Sequence, residues 1–348
     1  MAIEDPSSLR PRRPRLHDLA REAGVGTATV ERVLNARGGV SDATAQRVIL
    51  AARKLGYDRP LPSLHHALIR FEVILVRPDA AFFARLNREF QKLAGTIDPL
   101  IVLHRSFVEE SAPDAIARRI REVAGQRAGL IVVAQEHPEI VAALEEVEAR
   151  GLPVVLLVSN LRAGGKAVYV GIDNESAGRT AGFFMRHLLR GRSGRVIALC
   201  HSGGYVIHRQ RMQGFARHFA RPGGSVAFTH CLTGGDANEL SHQLVAGVLR
   251  DCGDVIGIYN AGGAHPGVEQ ALREAGRLRT ITYIGHELSP ESRTLLQSGG
   301  MMLVIDQMPE LQVRRAIEVL ETLIGLRPGS VDRSPISFRI VTAENLDP

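Results

Sequence analysis

Apolar positions change rhythm once along the chain, between Tyr57 and Phe71. Before that point they recur at helical spacing. Leu16, Leu19, Ala20 and Ala23 form an i, i+3, i+4, i+7 stripe that predicts a helix over Leu16–Ala23. Gly24 supplies the backbone freedom for a tight turn, and Val25 can plug the space between helices. A second helix is predicted over Thr27–Leu34, with Val30, Val33 and Leu34 inward and Thr27, Ala28, Glu31 and Arg32 outward. A third, Asp42–Leu55, starts behind Ser41 as N-cap and packs back through Val48, Ala51, Ala52 and Leu55. Two short helices about a glycine turn, the second with a polar face, have helix-turn-helix geometry, and such a helix fits the DNA major groove.

From Phe71 onward, ten apolar runs of strand length, Val73–Val76 through Met302–Ile305, alternate with nine amphipathic stretches, Ala84–Ala94 through Glu310–Ile324. Uninterrupted apolar strands alternating with helices imply parallel sheets covered on both faces. Ten strands exceed one ordinary core, so two sheets are expected. The fold class is therefore an all-α helix-turn-helix domain followed by an α/β region of two doubly wound parallel-sheet subdomains. Asp58–Arg70, with Pro60 and Pro62, reads as the linker.

Charge sharpens this division. Residues 10–59 hold eleven bases against five acids, which accounts for the whole net charge of +6, and the remainder of the 348-residue chain is balanced. Such an excess in one short segment suits a nucleic-acid-binding module joined to a neutral partner. Three cysteines, Cys200, Cys231 and Cys252, have no paired spacing and exclude a disulfide framework. The first fifteen residues have no apolar stretch of signal-peptide type, and the longest apolar runs are too short to span a bilayer. A reduced, cytoplasmic protein without a membrane partner is expected.

The segment LHDLAREAGVGTATVERVLNARGGVSDATAQRVILAARKLGY carries A-G-V, T-V-x-R-V-L-N, V-S-x-x-T-x-x-R-V and L-G-Y at fixed offsets. It resembles the DNA-binding domain of the lactose repressor family over its whole length. The resemblance implies that Thr27, Ala28 and Arg32 read bases and that Thr29 and Asn35 grip phosphate oxygens. An arginine at Arg32 can reach guanine with two hydrogen bonds. Gly26 departs from the family by replacing an N-capping serine, and Glu31 stands where a small hydroxyl residue is usual. The linker would form a hinge helix over Ser63–Ile69 that wedges a leucine, Leu64 or Leu68, into the minor groove. Ahead of the module, Arg10, Arg12, Arg13 and Arg15 make a proline-spaced arm, centred on residues 1–14; it either adds DNA contacts or is a solvated tail.

From about Phe71 to Val341 the chain resembles the sugar-binding core shared by that family and periplasmic ribose-type binding proteins. This implies an effector body over residues 71–348. Its N-subdomain would cover about 71–172 and 308–335, its C-subdomain about 173–307 and 336–348. The ligand would sit in a cleft at the strand ends. Phe82 and Phe83 match an aromatic pair that stacks on a sugar ring. Arg209 matches an arginine that donates to ligand hydroxyls, and Arg211 is read as structural. Asn160, Asn260, Glu287 and Gln307 fall at cleft positions; Asp173 reads as a hinge or cap residue near them, and Arg77 and Asp79 are secondary candidates.

Catalytic motifs are missing: there is no G-x-x-x-x-G-K-[ST], no G-x-G-x-x-G after the first strand, no G-x-S-x-G and no H-E-x-x-H. No cofactor, metal or catalytic residue is expected. The reading is a homodimeric repressor on a near-palindromic operator, relieved or reinforced by a sugar or polyol. A sugar-binding transport protein and a sugar-metabolising enzyme of the same fold are the alternatives.

Overall fold

The structure is a computed structural model and describes residues 14–35, 37–57, 68–161, 165–203, 205–220 and 225–346. It opens with three helices, α1 (Leu16–Ala23), α2 (Thr27–Leu34) and α3 (Asp42–Lys54). Their own small core joins Leu19, Ala23, Val30, Val33, Val48 and Ala52. Gly24 ends α1 at φ 63°, where its N–H and that of Val25 close onto Ala20 and Arg21 carbonyls. A side chain there would be strained in the left-handed region, which is why the turn takes glycine. Ser41 Oγ accepts the Thr44 amide at 3.3 Å and so starts α3.

Two sheets follow. The first contains β1 (Ile69–Leu75), β2 (Ile101–Phe107), β3 (Gly129–Val132), β4 (Val154–Leu157) and β5 (Val168–Val170), in the parallel order β2-β1-β3-β4-β5. The second contains β6 (Gly194–Cys200), β7 (Val226–Thr233), β8 (Val255–Asn260), β9 (Thr282–His286), β10 (Leu303–Asp306) and β11 (Arg339–Val341), in the order β11-β10-β9-β8-β6-β7. Strands β3, β4, β8 and β10 are buried along their whole length, as helices on both faces require. One departure from the parallel expectation appears: β11 pairs antiparallel to β10 and covers its edge.

Among the described residues, nine helices of the body connect these strands: α4 (Ala81–Ala94), α5 (Pro113–Val123), α6 (Pro138–Ala149), α7 (Asn174–Leu188), α8 (Val206–Ala216), α9 (Asn238–Asp251), α10 (His265–Glu274), α11 (Pro290–Gln297) and α12 (Pro309–Leu323). The chain leaves the first sheet after β5, builds the second through β10, and returns in α12, which packs on α4, β3, β4 and β5. It then passes Ile336, bridged to Ile172, and enters β11, which a 3-10 turn over Ala343–Asn345 follows. Three strands of chain thus cross between the subdomains. Each sheet reverses its winding direction between its first strand and the third, β1/β3 and β6/β8. Ligand crevices form at such switch points, at the strand C-terminal ends.

Charge is also buried inside the first sheet. Glu72 of β1 has no solvent exposure and is held by Arg119 at 2.5 Å and Arg127 at 2.8 Å. Burial works against its charge, but Ser106 and the two guanidiniums keep its carboxyl below the usual range.

Candidate functional site

On the headpiece, α2 presents Thr27, Ala28, Glu31 and Arg32 to solvent, with Thr29 also on the helix surface. Asn35 is exposed, and its side-chain amide donates to the Glu31 carbonyl at 2.9 Å, closing the helix. Gly26 is the N-cap residue without a side-chain cap; only its carbonyl accepts, from the Thr29 and Val30 amides. Its φ of −76° and the open space around its Cα suit a serine. Gly26→Ser should therefore raise headpiece stability by about a few tenths of a kcal/mol, read as slower amide exchange across residues 27–34. Leu68 lies half-buried immediately before β1. Leu64, most of the hinge segment and the arginines at 10, 12 and 13 lie outside the described residues.

In the body, a cavity of about 250 Å³ opens between the two sheets. From the first subdomain it is lined by Arg77, Asp79, Phe82, Phe83 and Val158. Helix α4 starts at Ala81, three residues ahead of the expected Ala84, so both rings belong to its first turn. They meet edge to face at 5.3 Å, with Arg77 5.7 Å over the Phe83 ring.

From the second subdomain, α8 contributes His208 and Arg211. This helix lies close against α7 because Gly178 and Gly214 have no side chains. A Cβ on either would come within 2.0–2.1 Å of a carbonyl of the facing helix. Arg211 is 1% exposed; its Nε donates to Asn174 Oδ1 at 2.9 Å and its Nη1 to the Ala261 carbonyl at 2.7 Å. Its Nη2 is buried without a hydrogen-bond partner among the described residues. Burial, reinforced by Arg211, pushes the His208 imidazole down to about 3, so it stands neutral.

At the end of β9, Glu287 takes a left-handed backbone, φ 68°, and accepts a hydrogen bond from Gln307 Nε2. Burial pushes its carboxyl up to about 8 despite the Arg211 charge. Glu287 Oε2 and Gln307 Oε1 are both buried and unpartnered among the described residues. Asp236, in the turn after β7, receives Arg77 Nη1 at 2.9 Å and the Gly263 amide at 2.8 Å. Burial opposes its charge, yet Arg77 and His201 hold its carboxyl below the usual range.

Phe82, Phe83, Glu287 and Gln307 are thus brought to one cavity, together with Arg77 and Asp79. The other cleft candidates, Arg209, Asn160 and Asn260, are not, and neither is Asp173, which was read as a hinge or cap residue. Arg209 lies outside the cavity lining and pairs with Glu136 at 2.6 Å, and Arg211 takes the inward place instead. The two are separated by about 200° around the helix, so only one can face the ligand. Asn160 is exposed past β4. Asp173 caps α7 by accepting the Ser176 amide at 2.9 Å. Asn260 is buried behind the cavity wall, accepting the Gly262 amide at 3.1 Å and donating to the Gly263 carbonyl at 2.6 Å.

Asp236, His208 and His265 line the cavity as well, outside any motif singled out in the sequence. The stripe Ile207, His208, Arg211, Phe215 at helical spacing held the signal for His208 and Arg211, and the Gly234-Gly235 turn was the local mark before Asp236.

The chain matches the periplasmic binding protein domain family over residues 71–327 and the lacI family of bacterial regulatory proteins over residues 15–60. It is similar to an uncharacterized HTH-type transcriptional regulator in the aml 5' region of Streptomyces limosus, 29% identical over 222 residues, covering 62% of this chain and 61% of that protein. The HTH-type transcriptional regulator MalR of Streptomyces coelicolor is 29% identical over 213 residues, 58% of each chain. The chain spans about three-fifths of the length of these curated relatives. Over 42 residues, 12% of this chain and 45% of the other, it is 52% identical to the sucrose operon repressor of Vibrio alginolyticus.

Among solved structures, it resembles GanP, a glucose-galactose binding protein from Geobacillus stearothermophilus. The TM-score is 0.72 at 18% identity, covering 80% of this chain and 99% of that one. A periplasmic solute binding protein from Actinobacillus succinogenes with bound D-allose gives 0.72 at 20% identity, with 79% and 98% covered. At these identities the likeness is one of fold. With its headpiece, its two-sheet body and these matches, the chain belongs to the periplasmic binding protein domain family and carries ahead of that domain a helix-turn-helix domain of the lacI type.

Proposed function

We propose that the chain is a DNA-binding transcriptional repressor, cytoplasmic and homodimeric, whose grip on a near-palindromic operator is set by one sugar or polyol molecule. The arm covers 1–14, the headpiece 15–57, the hinge 58–70 and the effector body the rest. Twofold symmetry of the dimer matches two half-sites, and cleft closure changes the spacing of the hinge segments.

One observation carries the effector reading: beside two aromatic rings, the cavity buries the donor Arg211 Nη2, the acceptor Gln307 Oε1 and the Oε2 of Glu287, a carboxyl that keeps its proton at neutral pH and so can donate, with nothing bonded to them among the described residues. Buried polar atoms need partners. A polyhydroxyl ligand supplies donors and acceptors together, and its C–H face suits the rings. About 250 Å³ lies below the ~300–1,000 Å³ of sites for drug-sized ligands, which favours a single sugar ring over an oligosaccharide. On the same walls Asp79 and Asp236 balance Arg77 and Arg211, which suits an uncharged ligand.

The test is thermal denaturation of the full chain against a panel of aldohexoses, aldopentoses and polyols. A ligand at about 100 times its Kd adds about 2.7 kcal/mol. The shift should vanish in Arg211→Met and persist in Arg209→Met; persistence in both variants defeats the cavity assignment. A transport protein of this fold would show the same shift without any preference among DNA duplexes, so duplex selection in parallel separates the two readings.

A further inference from the structure

Arg85 of α4 ties separate parts of the fold together. Its Nε and Nη2 donate to the two carboxylate oxygens of Glu310 on α12, at 2.7 and 2.8 Å. Nη1 and Nη2 donate to the two oxygens of Asp306 at the end of β10, at 2.7 and 3.1 Å, and Nη1 also reaches the Leu288 carbonyl at 3.4 Å. A guanidinium has five N–H donors in a fixed fork, and all five are engaged here.

The residues it grips adjoin the cavity on both sides. Leu288 follows Glu287, and Asp306 precedes Gln307. Asp306 is 1% exposed and its Oδ1 also accepts the Leu288 amide at 3.2 Å, so one carboxylate joins the two strand ends. Both ends are bent against preference: Glu287 at φ 68° and Met308 at φ 56° are left-handed residues without being glycine. Such backbone persists only where surrounding contacts over-determine it. The same Arg85 sits one turn along from Phe82 on a helix of the opposite subdomain.

We propose that Arg85 is a positioning residue: it straps α4 to the ends of β9 and β10, fixing how far the subdomains close and holding Glu287 and Gln307 in place. Its meaning for effector response rests on the cavity being the effector site. The strap itself does not. The strap sits beside the crossing at 307–308, so a change in the angle between the subdomains alters the fork's grip on Asp306 and Leu288 and shifts the two bent strand ends with it.

The test uses the full chain without any sugar. Arg85→Gln leaves the buried Asp306 carboxylate without its cation and can fail to fold, so the decisive variant is Arg85→Gln with Asp306→Asn, which removes both charges. Hydrogen exchange of residues 286–289 and 306–308 should become roughly tenfold faster or more in the double variant, as local opening there becomes easier, with residues 129–132 unchanged. Small-angle scattering should give a longer maximum dimension. Arg85→Lys keeps a cation beside Asp306 but lacks the fork. It should recover the unfolding midpoint without recovering that protection. Unchanged exchange and dimension in the double variant, or full recovery of protection by lysine, would overturn the strap. Because no ligand enters these readouts, their failure is distinct from failure of the sugar panel.

Discussion

Glu287→Gln should leave stability nearly unchanged at pH 4.5 and raise it on the order of 4 kcal/mol at pH 8.5. The folded chain holds this carboxyl at about 8 through burial, while in the unfolded chain it titrates near 4.5. Below 4.5 both states are protonated and the group costs nothing. Between the two values the unfolded chain has released the proton and the native one has kept it, so stability falls as pH rises. Above about 8 the deficit is complete and constant. Glutamine matches the shape, keeps an acceptor for Gln307 and has no proton to lose. The difference between variant and parent unfolding midpoints in guanidinium, measured across that pH range, should climb and then level. A flat difference would mean that the carboxyl is ionised in the native cavity at neutral pH.

Arg32→Ala should cost roughly 30-fold to 10⁴-fold in operator preference, because each bidentate arginine–guanine contact is worth ~1–3 kcal/mol of discrimination and a symmetric dimer makes two. Arg32 is exposed on α2 beside Ala28 and takes no part in the headpiece core, so folding should be unaffected. The preferred duplex is first selected from a random pool with the parent chain. Affinity for that duplex and for random DNA is then compared at one salt concentration. Loss of a base contact should collapse the ratio and leave the salt dependence nearly intact, since phosphate contacts set that slope. A variant that keeps the parent ratio would remove Arg32 from base reading.

The headpiece was legible almost residue by residue, because its helices are short, its core positions follow one period, and Gly24 and Ser41 mark a stop and a start. The strands were legible for a similar reason: burial on both faces leaves unbroken apolar runs such as Val154–Leu157. β11 was not, since Arg339–Val341 is three residues long and is made a strand only by its partner β10. The choice between Arg209 and Arg211 needed the phase of α8, which its buried stripe gives and motif matching does not. Asp236 and the protonated state of Glu287 depend on neighbours far away in sequence, Arg77 and the closed cavity wall, and no local pattern encodes them.

The triple crossing between the subdomains limits how they can move. Three tethers along one side suppress sliding and leave chiefly a rotation about the line that joins them, as with the spine of a book. A small angle there becomes a larger arc at points remote from the spine. The start of β1, where the headpiece is attached, therefore travels as the tip of a lever, and the leverage grows with its distance from residues 171–173, 307–308 and 337–338.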